Sequence, residues 1–213
     1  MKRFLVVLDV DSTMIEQEVI ELLAEKVGLR EQVKSLTDRA MAGEIDFREA
    51  LEARVSLLQG LSSEVFDEIL GEIKVTAGVH ELIHAVQSSG GLVGAISGGF
   101  SQLLDPLAAD LGLNFSKANE LEIIDGIFSG KVAGEMVDAN MKAQTLLTWA
   151  KENSFELTDT VAIGDGANDI PMLEAAGFAV AFRPKDVLRP YADLVLEGNS
   201  LEPVIAELEL RSR

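Results

Sequence analysis

Asp9 and Asp11 stand two positions apart, directly behind the apolar run FLVVL. Residues so spaced on a strand face the same way. Extended geometry would therefore project both carboxylates from one side at the strand's carboxyl end. Two neighbouring carboxylates repel, and either a proton or a cation must relieve the repulsion. Hard oxygen ligands favour magnesium. The same residues also read as punctuation, since Ser12, Thr13 or Asp11 would cap a helix starting near Met14. A second acidic cluster, IGDGANDI, supplies Asp165 behind another apolar run, and Asn168 and Asp169 open the next helix. Taken alone, GDG is turn chemistry and Asp169 a cap. Two acidic strand ends in one chain instead point to one crevice, because open α/β sheets bind ligands at the carboxyl ends of their strands.

Anion chemistry is the natural complement. The stretch SGGFS, residues 97–101, offers the Ser97 hydroxyl and the glycine-flanked N–H of Gly98 at a helix start. Such a turn can cradle an anion, although many strand-to-helix turns are glycine-rich. Lys142 opens a further helix and, taken singly, reads as a surface lysine.

The elements that must position these residues follow from hydrophobic patterning. Phe4–Leu8, Leu92–Ile96, Thr160–Ile163, Phe178–Phe182 and Asp193–Leu196 are short runs expected to be strands. Helical patterns lie between them at Val79–Val86, Gln102–Leu111, Met141–Lys151 and Asp169–Ala176. The alternation predicts an α/β fold, a Rossmann-like parallel sheet with helices on both faces. Residues 15–74 break it with helical periodicity and no strong strand. One apolar stripe runs through Ile15, Val19, Leu22, Leu23 and Val27, another through Phe47, Leu51, Val55 and Leu58. A simple crossover needs only about a dozen residues. This segment is therefore expected to be an inserted helical cap domain, with residues 1–14 and 75–213 forming the core. Asp125-Gly126 between alternating apolar residues predicts a β-hairpin. On a helical wheel Arg54 falls inside the second stripe, where a charge must snorkel, pair or meet a ligand.

Bulk properties exclude several classes. The chain of 213 residues is 47% hydrophobic and has no cysteine, which removes disulfides, cysteine-rich zinc sites and thiol nucleophiles. A formal charge of −18 argues against nucleic acid as a partner. It also repels an anionic substrate unless positive charge is concentrated locally. No apolar run is long enough to span a membrane, and the start does not read as a signal peptide. A cytoplasmic monomer or homodimer without a membrane partner is expected.

Together, Asp9-x-Asp11-x-Thr13, Ser97-Gly98-Gly99, Lys142 and Gly164-Asp165-Gly166-Ala167-Asn168-Asp169 resemble the motifs of the haloacid-dehalogenase (HAD) superfamily. Their order and spacing, with MAGEIDFREALEARVSLLQG and Glu18, resemble its phosphoserine phosphatase family over essentially the whole chain. Val10 departs from the Phe that relatives often carry. The chain begins close to its first strand, so the N-terminal regulatory domain of some relatives is expected to be missing. The resemblance implies a Mg²⁺-dependent phosphomonoester hydrolase of serine biosynthesis, with O-phosphoserine as substrate. It implies Asp9 as nucleophile, Asp11 as general acid and base, and Mg²⁺ on Asp9, Asp11 through its backbone carbonyl, and Asp165. Ser97, Gly98 and Lys142 would hold the phosphoryl oxygens, Asn168 would line the site, and Asp169 would act behind the metal. Glu18 would meet the substrate ammonium and Arg54 its carboxylate, with Phe47 closing over it. Arg183 and Lys185 would add positive potential near the mouth, and neither is assigned a site role.

Other readings remain. A related HAD phosphatase or phosphotransferase for another small phosphomonoester shares the first half-reaction, and a phospho-acceptor signalling domain shares the phosphorylatable aspartate. His80-Glu81-Leu82-Ile83-His84 matches the zinc-protease pattern H-E-x-x-H. It requires a third ligand, and the chain has only these two histidines. His84 and Trp149 are expected to be surface or packing residues.

Overall fold

The structure, a computed structural model, describes residues 1–41 and 44–212. In chain order it contains β1 (Leu5–Leu8), α1 (Val19–Lys26), α2 (Arg30–Met41), α3 (Phe47–Ser56), α4 (Val65–Glu72), α5 (Val79–Ser88) and β2 (Leu92–Phe100). There follow α6 (Ser101–Leu111), β3 (Phe115–Ile124), β4 (Ile127–Ala133), α7 (Ala139–Glu152), β5 (Thr160–Gly164), α8 (Ile170–Ala175), β6 (Phe178–Phe182), β7 (Leu194–Leu196) and α9 (Glu202–Leu210). The strands form one seven-stranded sheet in the order β4-β3-β2-β1-β5-β6-β7.

β1 is central because both its faces are apolar. Val6 and Leu8 join the larger core cluster with Leu82, Val86 and Leu103. Leu5 and Val7 point the other way, onto Leu146 and Met172. A strand buried on both faces reads as an unbroken apolar run, as this one does. β1 pairs in parallel with β2 and with β5, placing Leu8 level with Ala95 and with Ile163. The residues that follow, Asp9, Ile96-Ser97 and Gly164-Asp165, therefore emerge side by side. Chain order reverses at β1, which is where such sheets open a crevice.

The expected strands and intervening helices are present, with ends shifted by a few residues. β2 runs on through Ser97-Gly98-Gly99 to Phe100 rather than stopping at Ile96. The Asp125-Gly126 turn has φ of 52° and 78°, the left-handed pair that a tight hairpin needs. The hairpin extends the main sheet, because β3 pairs in parallel with β2.

The helix expected near Met14 starts instead at Val19. Asp11 (ψ 133°) and Ser12 (φ 58°) turn the chain sharply, and residues 14–16 then run beside 74–76. Ile15 and Val75 form an antiparallel bridge, Glu16 N–H donates to Lys74 C=O at 2.9 Å, and Thr76 N–H donates to Met14 C=O at 3.0 Å. The chain thus leaves the sheet and returns to it through adjacent strands, with α1 to α4 between. The α3–α4 connection is fastened to the hairpin: Gly60 N–H donates to Phe128 C=O, and Phe128 N–H to Leu61 C=O, each at 2.9 Å. The Phe66 and Phe128 rings lie 5.1 Å apart. No helix among the described residues is long and apolar enough to cross a membrane.

Candidate active site

Lys142 is the pivot of the site. It lies on α7, whose N-terminus is capped by the Asp138 side chain accepting the Met141 N–H at 2.8 Å. Its ammonium is 1% exposed and donates to Asp9 Oδ1 at 2.5 Å and to Asp169 Oδ1 at 2.8 Å. It is not a surface lysine. Asp169 also accepts, through Oδ2, the N–H groups of Asp165 (3.1 Å) and Gly166 (3.2 Å). With Lys142 on one oxygen and backbone on the other, Asp169 is satisfied within the protein. It fixes the GDG turn and the lysine together. Gly164 permits this, because a Cβ there would lie 2.6 Å from the Asp169 Cβ.

Asp9, Asp165 and Asp169 place carboxylate oxygens within 4.8 Å of one another, all buried. One buried ammonium cannot balance so much negative charge. The Asp9 carboxyl is pushed well above its ordinary value by burial and by Asp169, against the pull of Lys142. Asp165 is pushed up to about 6 by burial and by Asp169. Burial alone would lower the Lys142 ammonium, but Asp169 and Asp9 outweigh it and raise it. An oxygen-only cluster with uncompensated negative charge fits a hard divalent cation.

The Asp11 carboxylate lies outside this trio. Its Oδ1 accepts the Val19 N–H at 2.8 Å and its Oδ2 the Ser97 hydroxyl at 3.1 Å. Burial, then the Glu18 carboxylate, raise it to about 7. A metal role for Asp11 therefore cannot use its carboxylate as it stands here, and the backbone carbonyl is the remaining donor. The Ser97 hydroxyl also accepts the Gly99 N–H at 2.7 Å. The strand extension is pinned by Asn119, which is fully buried. Its amide donates to Gly98 C=O at 2.8 Å and accepts the Val137 N–H at 2.7 Å.

A cavity of about 470 Å³ opens over these groups. Its sheet side presents Asp9, Asp11, Gly98, Asp165 and Asn168, and its helical side Glu18, Thr37 and Arg54. Glu18 accepts the Ser12 hydroxyl at 2.7 Å. Arg54 is half-buried, donating from Nε to Ala50 C=O and from Nη1 to Thr37 Oγ1, both at 3.1 Å. Burial lowers its pKa, opposed by Glu18 and Asp11. Phe47 opens α3, and its side chain lies outside the described residues. Lys185 lines the mouth with its Nζ 3.9 Å from Asp165 Oδ2.

Sequence reading missed Asn119 and Thr37. The signal for Asn119 was a lone amide in the alternating hairpin SKANELEII; nothing marked Thr37. His80, Glu81 and His84 all lie exposed on α5, and no group of three metal-binding side chains includes them among the described residues. Trp149 packs on Gly94 and stacks with Phe115 at 5.0 Å, a packing role as expected.

The family described as haloacid dehalogenase-like hydrolase matches residues 6–174. A phosphoserine phosphatase of Streptococcus thermophilus is 44% identical over 205 residues, covering 96% of this chain and 95% of the relative. One of Streptomyces coelicolor is 47% identical over 94% of this chain, which spans 49% of that relative's length. A solved phospho-aspartyl intermediate analogue of phosphoserine phosphatase superposes with a TM-score of 0.91 at 37% identity, covering 97% of this chain and 99% of that one.

Proposed function

Since the chain belongs to the haloacid dehalogenase-like hydrolase family, we propose that it is a Mg²⁺-dependent phosphatase that hydrolyses O-phospho-L-serine to L-serine and phosphate. The observation that carries this reading is one cavity with two chemistries. Lys142 grips Asp9 on the sheet side, while Arg54 and Glu18 face in from the helical side. The first suits a phosphoryl group, and the second suits the carboxylate and ammonium of an amino acid.

The chemistry follows from these positions. An Asp9 oxygen attacks phosphorus, and the bond from phosphorus to the serine oxygen breaks. Asp11, held off the acidic trio and raised to about 7, gives its proton to that leaving oxygen. As carboxylate it then takes a proton from the water that attacks the aspartyl-phosphate. The Asp9–phosphorus bond breaks and Asp9 is restored. Ser97, the Gly98 N–H and Lys142 hold the phosphoryl oxygens, which is where most phosphoryl-transfer catalysis resides. Asp169 orients Lys142, and Asn168 lines the phosphate side. Asp9, Asp165 and the Asp11 carbonyl would hold Mg²⁺, which when bound neutralises charge between carboxylate and phosphate. Residues 15–74 act as a cap over the core formed by 1–14 and 75–213. Its closure excludes water and brings Phe47 over the substrate. The enzyme is assigned to serine biosynthesis in the cytoplasm.

The test is Mg²⁺-dependent phosphate release from phosphoserine. Asp9→Asn is expected to lower kcat by about 10⁴-fold or more, as loss of a nucleophile does elsewhere. Full activity in Asp9→Asn would rule out the nucleophile assignment.

A further inference from the structure

Two non-glycine residues near the cavity hold left-handed backbone, and they touch. Ser12 has φ 58° and Arg183 φ 42°. Such conformations are uncommon outside glycine and persist only where the surroundings enforce them. Arg183 Nη2 donates to the Ser12 carbonyl at 3.1 Å across 171 positions of sequence. Its guanidinium lies 4.6 Å from the centroid of the Phe182 ring, and its own N–H donates to Leu196 C=O at 2.7 Å. The arginine is thus fixed at both ends by β6 and β7. The Ser12 hydroxyl in turn donates to Glu18 Oε1 at 2.7 Å. Glu18 belongs to the helical segment, and Arg183 directly follows β6 of the sheet.

We propose that Arg183 is a specificity-determining positioning residue, holding the Ser12 turn so that the Ser12 hydroxyl presents the Glu18 carboxylate to the substrate ammonium. This rests on the reading of Glu18 given above. A glutamate on a long, flexible side chain selects an ammonium poorly unless its rotamer is fixed beforehand. Ser12 supplies that fixation, and Arg183 fixes Ser12. The alternative role for Arg183, general positive potential at the mouth, would act on any phosphomonoester alike.

The two roles separate by substrate. 3-Phosphoglycerate carries a hydroxyl where phosphoserine carries its ammonium. Arg183→Ala is expected to raise KM for phosphoserine by about tenfold, the scale of one lost positioning contact. The expected change in kcat, and in kcat/KM for 3-phosphoglycerate, is less than about threefold. Arg183→Lys should restore most of the loss, because the contact needs a single donor to a carbonyl. Ser12→Gly keeps the left-handed backbone and deletes the hydroxyl, so it serves where Arg183→Ala disturbs the loop, with the same selective rise in KM. The double variant should be no worse than Ser12→Gly alone, as for members of one chain of contacts. Equal losses for both substrates, or fully additive effects, would overturn the proposal. Glu18→Gln distinguishes the two levels. If Glu18→Gln leaves substrate preference unchanged, the reading of Glu18 falls and the relay falls with it. If Glu18→Gln abolishes the preference while Arg183→Ala and Ser12→Gly keep it, the relay alone is wrong.

Discussion

A guanidinium on the apolar face of a short helix has few resting places, and Arg54 shows how the options narrow. It does not snorkel to solvent but turns into the cavity, held by Ala50 C=O and Thr37 Oγ1. Burial lowers its pKa while Glu18 and Asp11 pull it back up, so the charge is kept at a desolvation penalty. An anionic ligand group would offset that penalty, and a carboxylate matches the planar fork. Arg54→Ala is therefore expected to lower kcat/KM for phosphoserine by ~30–150-fold, equivalent to about 2–3 kcal/mol for a charged hydrogen-bonded pair. O-Phosphoethanolamine, which lacks the carboxylate, should lose far less. Equal losses on the two substrates would remove the carboxylate role. The same scale separates the acids by their neighbours. Asp169 has both oxygens engaged within the protein, whereas Asp11 is raised to about 7 by burial and Glu18. Asp11 is thereby poised to carry a proton near neutrality.

At the scale of elements, register makes the site. Leu8 pairs with Ala95 and Ile163, so Asp9, Ile96-Ser97 and Gly164-Asp165 follow at one level on three neighbouring strands. This much was legible in the sequence, because strands buried on both faces are continuous apolar runs that end at the first polar residue. The hairpin was legible for a comparable reason, since Asp125-Gly126 tolerates the left-handed pair its turn requires. Long-range polar contacts were not legible. Asn119 extends β2 past Ile96 by bonding Gly98 and Val137, partners 21 and 18 positions away, and a single amide carries no periodicity. The start of α1 at Val19 was hidden likewise, because the pairing of residues 14–16 with 74–76 outweighs the capping signal at Ser12-Thr13. Gly164 connects register to chemistry. The Asp169 carboxyl occupies the space a β-carbon there would need. Gly164→Ala should push Asp169 away and release Lys142, lowering kcat by about 10²-fold, as small misplacements of catalytic groups do. Thermal stability should fall by about 1–3 kcal/mol from overpacking. A variant with wild-type kcat would show that Asp169 does not set the lysine's position.

The whole molecule carries a formal charge of −18 and concentrates buried acid where its sheet opens. That arrangement ties folding to protons and, under the proposed function, to a divalent cation. In the cation-free protein Asp11 and Asp165 are held at about 7 and about 6, both above the ordinary 3.8. Each group binds its proton more tightly folded than unfolded. Their contribution to stability is therefore complete below 3.8 and is lost as pH rises through the folded values. Melting temperature without cation should fall between about pH 4 and pH 7. A divalent cation on Asp9 and Asp165 requires those two carboxylates deprotonated, so its stabilisation should grow as pH rises through the Asp165 value of about 6. At ~100 times its Kd, linkage gives about 2.7 kcal/mol, or roughly 5–10 °C for a domain of this size. Calorimetry with and without Mg²⁺ at about pH 5 and pH 7.5 checks the sign of this linkage. A cation-induced shift equal at both pH values, or one retained in full by Asp165→Asn, would mean that the ion binds somewhere other than the acidic end of the sheet.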